Sequence, residues 1–248
     1  AHAVDCLRAV IDEHGADQVG VLASPNATVE EHYLLQKLAR GLGINSVDHR
    51  LREGDFRDQS VAPAYSSLGR PIAELEHAGA VLVVGCNARK ELPLLNHRLR
   101  KAAIAGGAVR CLNAVNYSTN FNARPGRVVS PALWLTELHG VAKALAEATG
   151  ADAGAWAAAD VDDWHRAAAD ELLSGENSVV ILGALSAAHP DASSLRACAA
   201  RIAEMAGASA GMLGTGANQA GAALAGMLPH RGPGAVPSNT PGSNAREM

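Results

Sequence analysis

The chain has 248 residues and a mass of 25.4 kDa, with 21 Lys plus Arg against 25 Asp plus Glu and a net charge of −4. That balance lacks the basic stripe of a nucleic-acid binder, and the length supports one large core or two small ones. Three Trp, three Tyr and two Phe beside 25 Gly argue against a β-sandwich, which draws on aromatic and β-branched residues.

Val4, Leu7, Val10 and Ile11 recur at helical spacing and predict a helix that Gly15 ends. Gln18 to Ser24 reads as a short buried strand and Ser24-Pro25-Asn26 as the turn after it. Thr28 and Glu31 have capping-box spacing. They predict a helix over 29–40 with Tyr33, Leu34, Leu35 and Leu38 on its buried side, stopped by Gly41 and Gly43. Residues 45–68 are irregular and charged and read as a crossing segment.

Ala80 to Val84 is continuously apolar, as expected of a parallel strand covered on both faces. Gly85-Cys86-Asn87 makes a tight strand-to-helix turn, and Pro93 opens a helix carrying Leu94, Leu95, Leu99 and Ala102. Gly106-Gly107 ends it, and Ala108 to Leu112 is the next strand. Ser130-Pro131 opens a helix to about Thr149, and a second helix runs roughly from Trp156 to Leu173. Ser178 to Gly183 repeats the buried-strand signature. Asp191 caps a helix with Leu195, Cys198, Ile202 and Met205 on one face. A short helix is expected near Gln219 to Ala225, then an extended tail that is mobile unless a neighbour holds it.

Two strands end in glycine where an α/β sheet binds ligands, at Gly85-Cys86-Asn87 and Gly183-Ala184-Leu185. Such glycines either let amides approach a phosphate or simply permit a tight turn. Neither site matches G-x-G-x-x-G or a P-loop. A third segment, Gly214-x-Gly216-x-Asn218-x-x-Gly221, could wrap an extended polar cofactor or pack closely against a sheet. The histidine pairs nearest to metal-ligand spacing are Glu137 with His139, His2 with Cys6, and Asp162 with His165. None extends to a three-ligand set, and HExxH and G-x-S-x-G are both absent. Asp162 and Asp163 beside Trp164 read as a solvated face.

Cys6, Cys86, Cys111 and Cys198 are far apart in sequence and read as small buried hydrophobes in a reducing compartment, with no metal site. The apolar runs fall far short of the ~20 residues of a membrane span, and the start carries no secretory pattern. A start at Ala1 without Met is expected of a piece of something longer.

Three strings carry a family resemblance: SPNATVEEHYLLQKLARGLGINSVDHRLREGDF (Ser24 to Phe56), AGAVLVVGCNARKELPLLNHRLRKAAIAGGAV (Ala78 to Val109) and TGANQAGAALAGMLPHRG (Thr215 to Gly232). They resemble the G-type subunit of bacterial NADH:quinone oxidoreductase (respiratory complex I) and, more broadly, the molybdopterin oxidoreductases. The resemblance implies an α/β fold of two Rossmann-like layers with parallel strands. The expected division is a first layer and crossing segment over 1–76, a second layer over 77–150, a return to the first layer over 151–228, and a tail over 229–248.

In the molybdopterin relatives the strand-end pattern is Gly-x-Asn-Pro; here it is Gly85-Cys86-Asn87-Ala88. Gln219 to Met227 is almost wholly Ala, Gly and Leu, and Arg231 is the first cation after it, with Arg89 and Lys90 beyond the other turn. The resemblance therefore implies a structural domain with no cofactor, and with no catalytic or metal-binding residues. Gly85, Asn87, Gly183, Asn218 and Gly221 would mark a vestigial pocket. Iron–sulfur clusters belong to the rest of such a subunit, held by closely spaced cysteines that this chain lacks. The partners implied are other peripheral-arm subunits, on the cytoplasmic side of the bacterial inner membrane, with no nucleic acid and no membrane insertion. The alternative is the cofactor-binding part of an active molybdopterin oxidoreductase, with Gly85, Asn87, Asn218 and Gly221 around the pterin or its nucleotide. A nucleotide-binding middle domain like those of thiamine-diphosphate enzymes is a third reading, disfavoured by the Ser24 to Phe56 string.

Overall fold

A computed structural model describes residues 2–248. The chain forms two compact units, one made of the residues up to Ser66 with Gly214–Met248, the other of Ser67–Leu213.

The first unit begins with α1 (His2–His14), β1 (Gly20–Leu22), α2 (Val29–Gly41) and β2 (Ser46–Asp48). The β1 and β2 strands pair in parallel. The predicted capping box starts α2: the Thr28 hydroxyl accepts from the Glu31 amide at 3.2 Å, and Glu31 accepts from the Thr28 amide at 2.7 Å. The predicted buried face is corrected. His32, Gln36 and Ala39 point inward, whereas Leu34 and Leu38 are 64% and 60% exposed and Tyr33 is exposed too. Their i, i+4, i+7 spacing makes His32, Gln36 and Ala39 one face just as consistently as the leucines make another. Periodicity identifies the helix without saying which stripe turns inward. The β2 strand, inside the predicted crossing segment, is too short at three residues to leave a pattern.

The second unit follows in chain order: β3 (Ala80–Val84), α3 (Ala88–Glu91), α4 (Pro93–Ile104), β4 (Ala108–Asn113), β5 (Arg127–Val128), α5 (Trp134–Thr149), α6 (Asp163–Ser174), β6 (Val179–Leu182), α7 (Ala184–Ala187), α8 (Ala192–Ala206) and β7 (Ser209–Met212). Its sheet has the order β5-β4-β3-β6-β7, every pair parallel. The fold is the expected α/β with parallel sheets. The chain division differs, however: residues 151–213 do not return to the first layer, because β6 pairs directly with β3, Val81 opposite Val179. Both runs are apolar throughout because both occupy the middle of one sheet. Successive residues feed opposite faces. Leu82, Val84, Val180 and Leu182 pack with Leu138 and Leu145 of α5, Leu172 of α6 and Leu195 of α8. Val81, Val83, Val179 and Ile181 pack with Leu75 and with Leu95 and Leu99 of α4. Leu94 is a further correction: it is 79% exposed, one residue around the helix from the buried Leu95.

The chain then rejoins the first unit through α9 (Gln219–Leu224). The tail after Pro229 is held by the unit's own residues. Ser243 and Ala245 donate backbone bonds to Ser46 Oγ and Asp48 Oδ2 at 3.1 Å each, and Arg231 donates to the Ala62 carbonyl at 2.7 Å.

Candidate functional site

The strand order of the second unit reverses between β3 and β6, the place where open α/β sheets bind ligands beyond the strand carboxyl ends. Gly85 and Gly183 both lie there. Gly85 has φ +64, a conformation that favours glycine. At this point the two strand ends close on one another. Gly183 N donates to Val84 O at 2.8 Å, Leu185 N to Gly85 O at 3.1 Å, and Ser186 Oγ to Val84 O at 2.9 Å. A Cβ at Gly183 would lie 2.4 Å from both Gly85 O and the Cys86 Cβ. The glycine at Gly183 thus serves close packing of the chain on itself.

The turn after β3 is likewise satisfied internally. Asn87 N donates to Glu91 Oε1 at 2.9 Å, and Cys86 Sγ lies 3.6 Å from Glu91 Oε2. Cys86 N donates to Asn113 Oδ1 at 2.9 Å, and Asn113 Nδ2 returns a bond to Cys86 O at 3.2 Å. Glu91 puts a carboxylate where an anionic ligand would need donors. No sequence motif signals this use of Glu91 and Asn113, because the Asn113 contact is long-range.

Beside this turn lies a cavity of about 410 Å³, lined among others by Asn87, Arg89, Asn96, Cys111, Asn113 and Asn116. Its basic residues are largely committed. Arg127 is 3.2 Å from Glu137 and also pairs with Asp162, and Arg124 is 3.6 Å from Glu171. Behind them Arg110 makes a two-point pair with Glu171 at 2.7 and 2.9 Å. Arg127 holds the Asp162 carboxyl down to about 2. Arg89 differs in being held by a hydroxyl, Ser118 Oγ at 3.0 Å. Burial pushes the Cys111 thiol up to about 11, and burial with Glu91 beside it raises Cys86 further. Both thiols are protonated and unreactive at neutral pH.

Asn218 and Gly221 belong to the first unit. Asn218 Nδ2 donates to Ala27 O at 2.7 Å, and a Cβ at Gly221 would lie 2.7 Å from Val29 Cγ2. A Cβ at Gly216 would lie 2.6 Å from Pro25 Cβ. The third glycine segment is therefore a turn packed against residues 25–29. Among the sequence-matched metal pairs, Asp162 and Glu137 both meet His165, at 2.9 and 3.0 Å. Asp162 also caps α6. Among the described residues no group of three or more His, Cys, Asp or Glu is placed to hold a metal ion. No helix there is long and apolar enough to cross a membrane.

The molybdopterin oxidoreductase family model matches residues 1–245. The chain belongs to that family. It is 31% identical to the G-type subunit of the NADH-quinone oxidoreductase of Streptomyces coelicolor over 93% of its length, covering 27% of that protein. It is 34% identical to the NADPH-Fe(3+) oxidoreductase subunit alpha of Geobacter sulfurreducens over 46% of its length, covering 14% of that protein. This family member thus spans a minor part of these relatives. Among solved structures it is similar to a chain of the formyltransferase/hydrolase complex from Methylorubrum extorquens. That match has a TM-score of 0.59 at 20% identity, over 97% of this chain and 66% of the other, and it shows a shared fold.

Proposed function

We propose that this family member is a structural α/β domain of the G-type subunit of an NADH:quinone oxidoreductase, supporting electron transfer from NADH to quinone with no cofactor of its own. The observation that carries the reading is the turn at Gly85-Cys86-Asn87. Its Cys86 and Asn87 amides are taken by Asn113 and Glu91, and Gly183 packs directly against Gly85 and Cys86. A pterin dinucleotide brings two phosphates that require several convergent donors, and the residues present do not fit that group. The likeness to the G-type subunit over most of the chain supports the same reading. Its partners are then neighbouring peripheral-arm subunits on the cytoplasmic side of the inner membrane. Iron–sulfur clusters lie elsewhere in the subunit.

The second reading, part of an active molybdopterin enzyme, draws on the amide-lined cavity and on Arg89, whose partner is a hydroxyl rather than a carboxylate. Elemental analysis and pterin fluorescence of the protein purified from molybdate-supplied cells separate the two. The structural reading expects neither molybdenum nor pterin; stoichiometric amounts of both establish the second.

A further inference from the structure

His32 is the most anomalous side chain in the first unit. It is fully buried on the inward face of α2, and neither ring nitrogen has a hydrogen-bond partner. A buried polar group left in this state is destabilising and calls for a physical role. Its ring meets that of His49, also buried, edge-on at 6.2 Å between centroids. His49 Nδ1 lies 2.7 Å from the Met227 carbonyl. A carbonyl can only accept, so Nδ1 carries the proton. His230, three residues further on, has a buried Nδ1 without a partner.

The turn containing Met227 and His230 is fastened at several points. Arg40 Nη2 donates to Leu228 O at 2.8 Å and to Arg231 O at 3.1 Å. Gly226 has φ +88, and a Cβ there would lie 2.5 Å from Pro233 N, so this turn has one tight path.

We propose that His32, His49 and His230 form an acid-sensitive latch that holds the 226–232 turn against α2 and the end of β2, and that opens when the imidazoles are protonated. Burial is what opposes a proton on these rings, and the charged groups around them adjust its cost. Asp48 and Arg50 lie at the β2 end, Glu31 at the foot of α2, and Arg40 and Arg231 beside the turn. The α9 helix, packed on α2, carries no ionisable side chain. Asp48 is already occupied. Its Oδ1 accepts from His49 N, Arg50 N and Arg50 Nε, and its Oδ2 accepts from Arg50 Nη2 and Ala245 N. A proton on His49 creates a buried cation that Asp48 only partly offsets and that Arg50 and His32 repel; one on His32 is offset only by Glu31; one on His230 is a cation beside Arg50 and Arg231. Burial holds all three histidines below the ordinary imidazole range, with His230 at about 4. Folded-state values below the unfolded one mean that the latch is fully closed above about pH 6.5 and weakens as pH falls.

The test is hydrogen exchange of the whole chain at pH 7.5 and 5.0, corrected for the intrinsic pH dependence, with β3 and β6 as the internal reference. Amides of Gly226, Met227, Leu228 and Arg231 should open roughly tenfold or more often at pH 5.0, while the reference strands hold. A His49→Gln/His230→Gln variant keeps polar amides but cannot titrate, and most of the acceleration should vanish. Titration of the histidine ring signals in the unaltered protein gives a second readout that needs no variant. Unchanged opening of the turn at pH 5.0, equal acceleration in the double variant, or His49 and His230 titrating near 6.5 would each overturn the proposal.

Discussion

The two units of this chain solve the problem of covering a parallel sheet to very different degrees. In the second unit five strands lie between two apolar layers, and Leu82, Ile181, Leu138, Leu195 and Leu99 are all essentially inaccessible. In the first, two three-residue strands carry a smaller apolar cluster built on Ala23, Ala39, Ile44, Val47, Ala222 and Met227. Polar groups fill the remaining interior there: His32, Gln36, Asp48, His49 and Arg50. The difference teaches where each unit draws its order. Apolar burial is non-directional and scales with area, so the sheet core of the second unit tolerates apolar substitutions that keep its volume. The first relies more on directional bonds and, through the proposed latch, on protonation state, which makes it the more pH-sensitive part.

The sharpest way to break this comparison is a charge at the centre of the larger sheet. Val83→Asp would bury a carboxylate between β4 and β6, and thermal or urea unfolding should show a loss of about 3 kcal/mol or more. Gly183→Ala comes next. Its methyl would meet the Gly85 carbonyl oxygen at 2.4 Å, and we expect a loss of about 1–3 kcal/mol from forced backbone movement, read from the same unfolding curves. A neutral result would mean that the two strand ends are not in contact.

A smaller effect is expected from acid on the second unit. Arg127 depresses the Asp162 carboxyl from 3.8 to about 2. Its stabilising contribution is therefore complete above about pH 4 and is lost as pH falls through 2. Asp162 is half exposed, so the effect is modest and salt-sensitive. Asp162→Asn should flatten the acid limb of stability against pH over that interval, measured at low ionic strength. The smallest effect belongs to the exposed stripe of α2. Leu34→Gln and Leu38→Gln should each shift stability by no more than about 0.5 kcal/mol. A loss of several kcal/mol in a denaturant titration would restore those leucines to a core.

These two leucines mark the boundary of what a sequence conveys. The apolar runs at Ala80–Val84 and Val179–Leu182 are legible because central parallel strands are buried on both faces and need no partner to be recognised. Their adjacency is not, since strand order is decided by contacts a hundred residues apart. The orientation of α2 stays hidden because its two competing stripes share one period. The strand-end glycines mark the place where the sheet reverses. The roles of Glu91 and Asn113 in satisfying that turn depend on a loop and strand geometry with no local signature. The β5 and β7 strands escape notice for a related reason: Arg127–Val128 is two residues long, and Ser209–Met212 contains Gly211 and small side chains that carry little strand propensity.

Whether the turn at Gly85-Cys86-Asn87 still receives a nucleotide decides between a structural domain and a cofactor-binding one. Calorimetric titration of the chain with guanosine diphosphate asks this directly. With the Asn87 and Cys86 amides held by Glu91 and Asn113, no saturable heat is predicted up to millimolar ligand. Micromolar binding that disappears in an Asn87→Leu variant would contradict the structural reading and make the cavity beside β3 and β4 a working cofactor site.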